Sequence, residues 1–456
     1  MLPDSHKSKS LCGTGGDQPT AAFPQRLLAP ILAAGLLATA VVVDPLAADA
    51  FDAPKWFVAQ LTAATAFACL LWIPRSTTPA KPHRSALLAP AALAIALAAL
   101  LLSSVLAPDR AASGEALRVV LLFVLLLPLG ASRALDARSC RWLALIAGGA
   151  VAINAAVSLA QASGWQLPWL PPVVRVGGRY PTGALLGNEG FVAVACALAV
   201  PVAACWTLCA RTSRTRAAAL AVLSVCVLAI VVNRQSTAFV AAAVGGLVVL
   251  LARLRRTGLL RTLAIVGVLA VTTATLPLLR PSAWPAWQID VERVQQLTTN
   301  RLGAWMAATG MWRERPWFGH GPGSFRQHAQ HYRLDAEIDM QARLLPPVTA
   351  SGFVQAHNEY LQLAAEAGLV ALLAVLAALG SLVNGLLPRA ATDAEAAALL
   401  GLLAAGAVAA LAWFPLQIPF TAMLLLLAAG RGWRLIAEAA QLPLPTTARF
   451  ARGAAQ

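Results

Sequence analysis

The chain has 456 residues, of which 59% are hydrophobic and 12% charged, and its mean hydropathy is +0.69. Soluble domains carry roughly a quarter charged residues, so a string of soluble domains is excluded and a polytopic helical membrane protein is expected. The formal charge of +15 would suit nucleic acid. However, the basic residues are spread over alternate loops, and no nucleic-acid partner is expected.

In chain order, residues 1–26 are polar and read as a disordered cytoplasmic tail. Ala48-Asp49-Ala50 resembles a signal-peptidase site, but 26 residues is long for a leader, and an uncleaved first span is expected. Apolar runs of about 17–20 residues, each long enough for a hydrocarbon core of ~30 Å, recur along the chain. They give about twelve spans, at 27–43, 56–73, 86–106, 116–131, 142–161, 190–210, 217–232, 236–252, 262–279, 368–387, 396–414 and 420–436. The expected fold class is all-α and polytopic, with about 12 transmembrane helices and one large periplasmic loop containing short helices. Helices 1–9 fall in 27–279, the loop in 280–360, helices 10–12 in 361–436 and a cytoplasmic tail in 437–456.

Basic residues cluster at Arg75, Lys81 and Arg84; at Arg133, Arg138 and Arg141; at Arg211, Arg214 and Arg216; and at Arg253, Arg255, Arg256 and Arg261. This alternation is the positive-inside pattern and places those loops and both termini in the cytoplasm. Cys69, Cys196, Cys205, Cys209 and Cys226 lie in or beside spans, Cys12 and Cys140 fall on the cytoplasmic side, and the large loop has none. No disulfide framework, CxxC pair or zinc-ligand spacing is present.

Candidate chemistry lies on the opposite face. In WQLPWLPPVVRVGGRYPTGALLGNEG, Arg175 and Arg179 flank a Gly-Gly turn. They suit either a phosphate cradle or lipid headgroups. VVNRQSTAF places Arg234 alone in a short turn between apolar spans, where a cation is costly unless paired, with a helix C-terminus or with an anionic ligand. TTNRLGAWMAATGMWRERPW reads as an amphipathic helix capped by Thr299 or Asn300, with Arg301, Trp305, Trp312 and Arg315 on one face. The tryptophans suit an aromatic belt, whereas Arg301 suits an anionic ligand. FGHGPGSF is not a P-loop, since no Lys-Ser/Thr follows; its glycines suit a tight turn returning to the membrane. His320, His328, His331 and Asp335 match no strong metal pattern and read as incidental. His357 and Asn358 open a helix that becomes a span. The partial positive charge there favours anions and keeps a histidine neutral, which suits a general base, although a merely structural histidine fits the same place.

GNEGFVA, NRQSTAF, NRLGAWMAA with PWFGHGPGSF, and HNEYLQLAAEAGL follow one another over residues 183–376. In this order the chain resembles the O-antigen ligase and polymerase superfamily of bacterial membrane glycosyltransferases. It departs from relatives in reading NRQSTA where they tend to have Ser-Arg-Gly, and GNEGF where a second Asn is common. It also lacks the Asn- and Gln-rich pattern of the protein O-oligosaccharyltransferase branch.

The resemblance implies inverting transfer of a glycan from undecaprenyl pyrophosphate to an acceptor hydroxyl at the periplasmic face of the inner membrane. No nucleotide sugar, metal or other cofactor is implied. Arg234 and Arg301 would bind the pyrophosphate, His357 would activate the hydroxyl, and Arg175, Arg179 and Asn358 would assist binding. Partners would be the lipid-linked donor, membrane lipids, and either lipid A-core for a ligase or a second lipid-linked glycan for a polymerase; ligase is narrowly favoured. A transporter fits less well, because most spans hold no acidic residue. A polysaccharide-binding scaffold fits least.

Overall fold

The computed structural model of the protein describes residues 23–73, 84–169, 180–253, 301–341, 344 and 353–440. The helices, in chain order, are α1 (Phe23–Val41), α2 (Asp52–Leu71), α3 (Arg84–Leu106), α4 (Arg110–Val124), α5 (Leu126–Gly130), α6 (Ala137–Ala162), α7 (Glu189–Cys209), α8 (Ser213–Asn233) and α9 (Ser236–Arg253). They continue with α10 (Leu302–Glu314), α11 (Ser324–Met340), α12 (Glu359–Ala390), α13 (Ala394–Ala409) and α14 (Pro419–Ala440).

Many helix starts are marked by a short polar side chain that accepts a free first-turn N–H. Asp109, Asp136, Asn188, Thr212, Asn358 and Asp393 serve α4, α6, α7, α8, α12 and α13 in this way. Eight helices among the described residues are long and apolar enough to cross a membrane, so the protein is a polytopic membrane protein.

Of the about twelve expected spans, these eight are the ones that reach that length and hydropathy among the described residues. The run at 262–279 lies outside the described residues. The apolar parts of α1 and α13 are shorter, at Gln25–Val41 and Ala394–Ala409. The run at 56–73 forms α2, which is not one of the eight; its first turn carries Asp52 and Lys55.

The main core joins α1, α2, α6, α7, α8, α9 and α14 through Leu36, Ala63, Val151, Ala193, Ile230 and Met423. A second cluster packs α7, α9, α12, α13 and α14 through Leu198, Val249, Leu386 and Leu400. The short helices α10 and α11 pack on the first part of α12 through Met311, Phe325 and Ala365.

The Gly-rich segment does turn the chain back. Gly319, Gly321 and Gly323 all have positive φ, at 66°, 103° and 77°. The turn docks onto a break in α12, where Gly368 leaves the helix with φ 79° and ψ −179°. The exchange is reciprocal. His320 and Gly321 N–H donate to the Ala365 and Glu366 carbonyls (3.1 and 2.8 Å), and Leu369 N–H donates to the Pro316 carbonyl (2.8 Å). Ser103 Oγ on α3 also donates to the Glu366 carbonyl (2.6 Å). A helix break inside apolar surroundings leaves backbone groups whose isolation costs several kcal/mol each, and the turn satisfies them.

A buried polar network ties the loop before α7 to its neighbours. Asn154 Oδ1 accepts from Leu185 N (3.1 Å), and its Nδ2 donates to the Ala40 and Ala150 carbonyls (3.1 and 3.0 Å). Gln161 Oε1 accepts from Ala184 N (2.7 Å). Asn233 Nδ2 donates to Ser158 Oγ (3.0 Å), while its Oδ1 accepts from Thr182 Oγ1 (2.5 Å). Removing one member strands its buried partners. Asn154→Ala is expected to destabilise the fold by about 1–3 kcal/mol, read as a lowered thermal midpoint in detergent. Asn154→Ala unfolding at the wild-type midpoint would show that the network contributes nothing.

Candidate active site

Four segments lie at the end of the bundle where α8 ends and α12 begins. The first is the loop entering α7, whose Asn188 accepts from Gly190 N (2.8 Å). The second is the α8–α9 turn at Arg234. The third is Arg301 with the entry to α10, and the fourth is the 353–358 segment leading to α12. The turn between α13 and α14, with Trp413 and Phe414, touches the first, third and fourth of these. The Trp413 and Phe414 rings stack with centroids 5.1 Å apart and planes 10° apart. Phe414 meets Phe191 of α7 edge-on at 5.9 Å.

His357 sits against this aromatic pair, with ring centroids 5.3 Å from Trp413 and 5.0 Å from Phe414. Its φ of 51° is left-handed, a conformation that costs a non-glycine residue about 1–3 kcal/mol and is held only where the surroundings dictate it. Gln362 supplies part of that hold. Its Oε1 accepts from Ala356 N (3.0 Å) and from Gln417 Nε2 (3.1 Å), and its Nε2 donates to Glu366 Oε1 (3.2 Å). Glu359 Oε1 accepts from Leu416 N (2.6 Å), fastening the helix start to the same turn.

Arg301 reaches the cluster from the other side. Its Nη1 donates to the Ala412 carbonyl (2.5 Å), and its guanidinium lies 4.6 Å from the centre of the Trp413 ring. The cation is stacked on an indole, and among the described residues it pairs with no carboxylate. Burial lowers its pKa to about 10, so it stays charged at neutral pH. Burial, and then the Arg301 charge, push the His357 imidazole down to about 4. Its Nδ1 is buried with no hydrogen-bond partner among the described residues, as is Trp413 Nε1. Buried polar atoms are normally satisfied, and a neutral histidine beside an uncompensated cation is a place for an anion and a transferable proton.

The other candidate residues fall as follows. Arg234 is exposed at the C-cap of α8 with φ 54°. It is at the same end of the bundle, because the adjacent Asn233 bonds Thr182 in the loop that leads into α7. Asn358 is the N-cap of α12, its Oδ1 accepting from Leu361 N (3.0 Å), so this oxygen is already engaged by the helix. Arg175 and Arg179 lie outside the described residues, as do Thr299 and Asn300. The helix begins at Leu302 with Arg301 as its N-cap residue.

The shared face expected for Arg301 and Arg315 is corrected: Arg301 turns towards Trp413, while Arg315 Nη1 donates to the Leu106 carbonyl at the end of α3 (3.2 Å). The Trp305 and Trp312 indole nitrogens are enclosed without partners among the described residues. His320 is buried with Nε2 3.0 Å from the Met311 carbonyl. His331 faces Asp335 at 3.6 Å. Among the described residues no group of three or more His, Cys, Asp or Glu could hold a metal ion.

The sequence reading missed Trp413, Phe414 and Gln362. A signal was available in AWFPLQIPF, where two aromatic residues and a proline sit in the short connection between the last two apolar helices.

Residues 219–376 match the sequence profile of the family described as O-antigen ligase. No curated protein matches the chain. The matched segment contains Arg234, Arg301 and His357, whereas Trp413 and Phe414 lie beyond it. Over residues 219–376 the chain is similar to the O-antigen ligase family, a family of lipid-linked glycan transferases.

Proposed function

We propose that the protein moves a glycan from undecaprenyl pyrophosphate to a hydroxyl of lipid A-core at the periplasmic face of the bacterial inner membrane, with inversion. The observation that carries this reading is the juxtaposition of neutral His357 and buried Arg301 across Trp413. The His357 imidazole takes the proton of the acceptor hydroxyl while its oxygen attacks the anomeric carbon. The bond from that carbon to the diphosphate oxygen breaks, and the diphosphate leaves with the electron pair. Arg301 and Arg234 stabilise the charge gathering on that leaving group, where fixed cations act most strongly. Trp413 offers an apolar ring face of the kind on which sugars stack.

An imidazole of pKa about 4 is a weak base, and the donor corrects this. Burial is the larger cause of the lowering and the Arg301 charge the smaller; a diphosphate bound at Arg301 offsets that smaller part, so the base gains strength when the donor is in place. Arg301→Gln removes the field without a donor. Its His357 should titrate closer to the ordinary value of about 6.5, moving the acidic limb of the kcat/KM profile to higher pH. A limb that stays near 4, or moves lower, would separate His357 from Arg301.

The direct test supplies purified protein with undecaprenyl-pyrophosphate glycan and either lipid A-core or no added acceptor. Glycosylated lipid A-core supports the ligase reading. Longer lipid-linked chains without added acceptor would replace it by a polymerase.

A further inference from the structure

We infer that the protein holds an anionic glycerophospholipid at the end of the bundle opposite His357. α6 and α8 run parallel. They meet near the candidate active site, where Ser158 bonds Asn233. About 25 Å of helix separates that contact from Arg141 near the start of α6. At that far end the helices leave a cavity of about 1230 Å³ between α6, α7, α8, α13 and α14. It exceeds the ~300–1,000 Å³ of ordinary small-ligand pockets.

The interior is hydrocarbon-like, reaching Leu36, Val151, Leu198 and Val222 in mid-span. Gly148 and Gly149 also line it, and a Cβ built on either meets nothing within 4 Å. Apolar cavities do not hold water well, and the solvent at this depth is acyl chain. The cavity's other pole is cationic, with Arg141, Arg211, Arg253 and Arg431 in its lining.

Arg431 is neutralised by Glu395 through two bonds of 2.7 and 3.1 Å. The other three form no ion pair among the described residues. Arg141 and Arg253 donate only to the Ala137 and Ala391 carbonyls (3.1 and 3.3 Å). Asp136, the nearby acid, caps α6 by accepting from Ser139 N (2.7 Å). An apolar interior with three guanidiniums at one pole that form no ion pair among the described residues fits an amphiphile with acyl chains and a phosphodiester head. A zwitterionic head brings its own cation to the same arginines and gains less.

The test is lipid retention by native mass spectrometry. The full chain is purified in detergent and given dioleoyl-phosphatidylglycerol or dioleoyl-phosphatidylcholine. Wild type should retain phosphatidylglycerol about tenfold more strongly, with each interfacial cation contributing on the order of a few-fold. Arg211→Gln with Arg253→Gln should erase the preference. Gly149→Phe, which fills the cavity, should lower retention of both lipids. Gly148→Leu serves the same purpose if the first variant does not purify as a single species.

Equal retention of the two lipids by wild type would overturn the assignment. So would full retention by well-folded variants. Displacement by an equal concentration of water-soluble glycerophosphoglycerol would point to a free-anion site and overturn the lipid reading.

Discussion

His357→Ala should lower glycan transfer by about 10²–10⁴-fold, the usual contribution of a positioned general base, while leaving donor binding largely intact. The side chain has one described hydrogen-bonding deficit and no structural bond to lose: Nδ1 is buried without a partner, and the ring's contacts are to Trp413 and Phe414. Alanine also relaxes none of the hydrogen bonds that hold the segment, since these run through the Ala356 N–H, Gln362 and Asn358. Product formation under single-turnover conditions, beside binding of labelled undecaprenyl pyrophosphate, separates the two effects. Unchanged turnover in a well-folded His357→Ala protein would remove His357 from the chemistry. Arg301→Ala should instead weaken both donor binding and turnover, and Arg301→Lys should restore little, because a lysine lacks the planar group that stacks on Trp413 while reaching the Ala412 carbonyl.

The second large effect concerns the fold. Gly368→Ala is expected to destabilise the protein by at least ~3 kcal/mol, seen as a marked drop in thermal midpoint or as failure to accumulate in the membrane. Two causes act together. The backbone there, at φ 79° and ψ −179°, lies in a region that is essentially glycine's alone. A Cβ would also stand 2.1 Å from the Trp317 carbonyl oxygen. Gly380, further along the same helix, has nothing within 4 Å of a Cβ. Gly380→Ala should therefore be neutral or slightly stabilising, by up to ~1 kcal/mol from helix propensity. Equal melting of the two variants would show that the α12 break does not need its glycine. Activity should follow the same order, because the turn that fills the break follows α10, and Arg301 is the N-cap residue of α10.

Much of the architecture was legible because a bilayer imposes a strong, local rule. The run at 236–252 became Ser236–Arg253, and that at 190–210 became Glu189–Cys209. The start of α7 is set where Asn188 caps the first turn. Local reasoning failed where the deciding contact was distant in sequence. The start of α12 at His357-Asn358 is legible, and the helix runs from Glu359, but its interruption at Gly368 is not. The interruption is stable only because the Pro316–Gly321 segment returns to satisfy it. Likewise Arg301 was expected to share a helical face with Arg315. It lies one residue before the helix, and its direction is set by a carbonyl and an indole more than a hundred positions away.

The sequence by itself determined that this is a polytopic helical membrane protein with a likeness to the O-antigen ligase family over residues 219–376, and it singled out Arg234, Arg301 and His357. These follow from composition, from hydrophobic runs matched to the bilayer and from short motifs, all of which are local properties. Only the tertiary structure decided which of those residues meet. It seated His357 in a left-handed conformation against Trp413 and Phe414, stacked Arg301 on the same indole, and gave Asn358 the task of capping a helix. The physical reason is that a general base and its neighbouring cation acquire their properties from burial and from each other's field. Those are properties of packing between distant segments, and no window along the chain contains them.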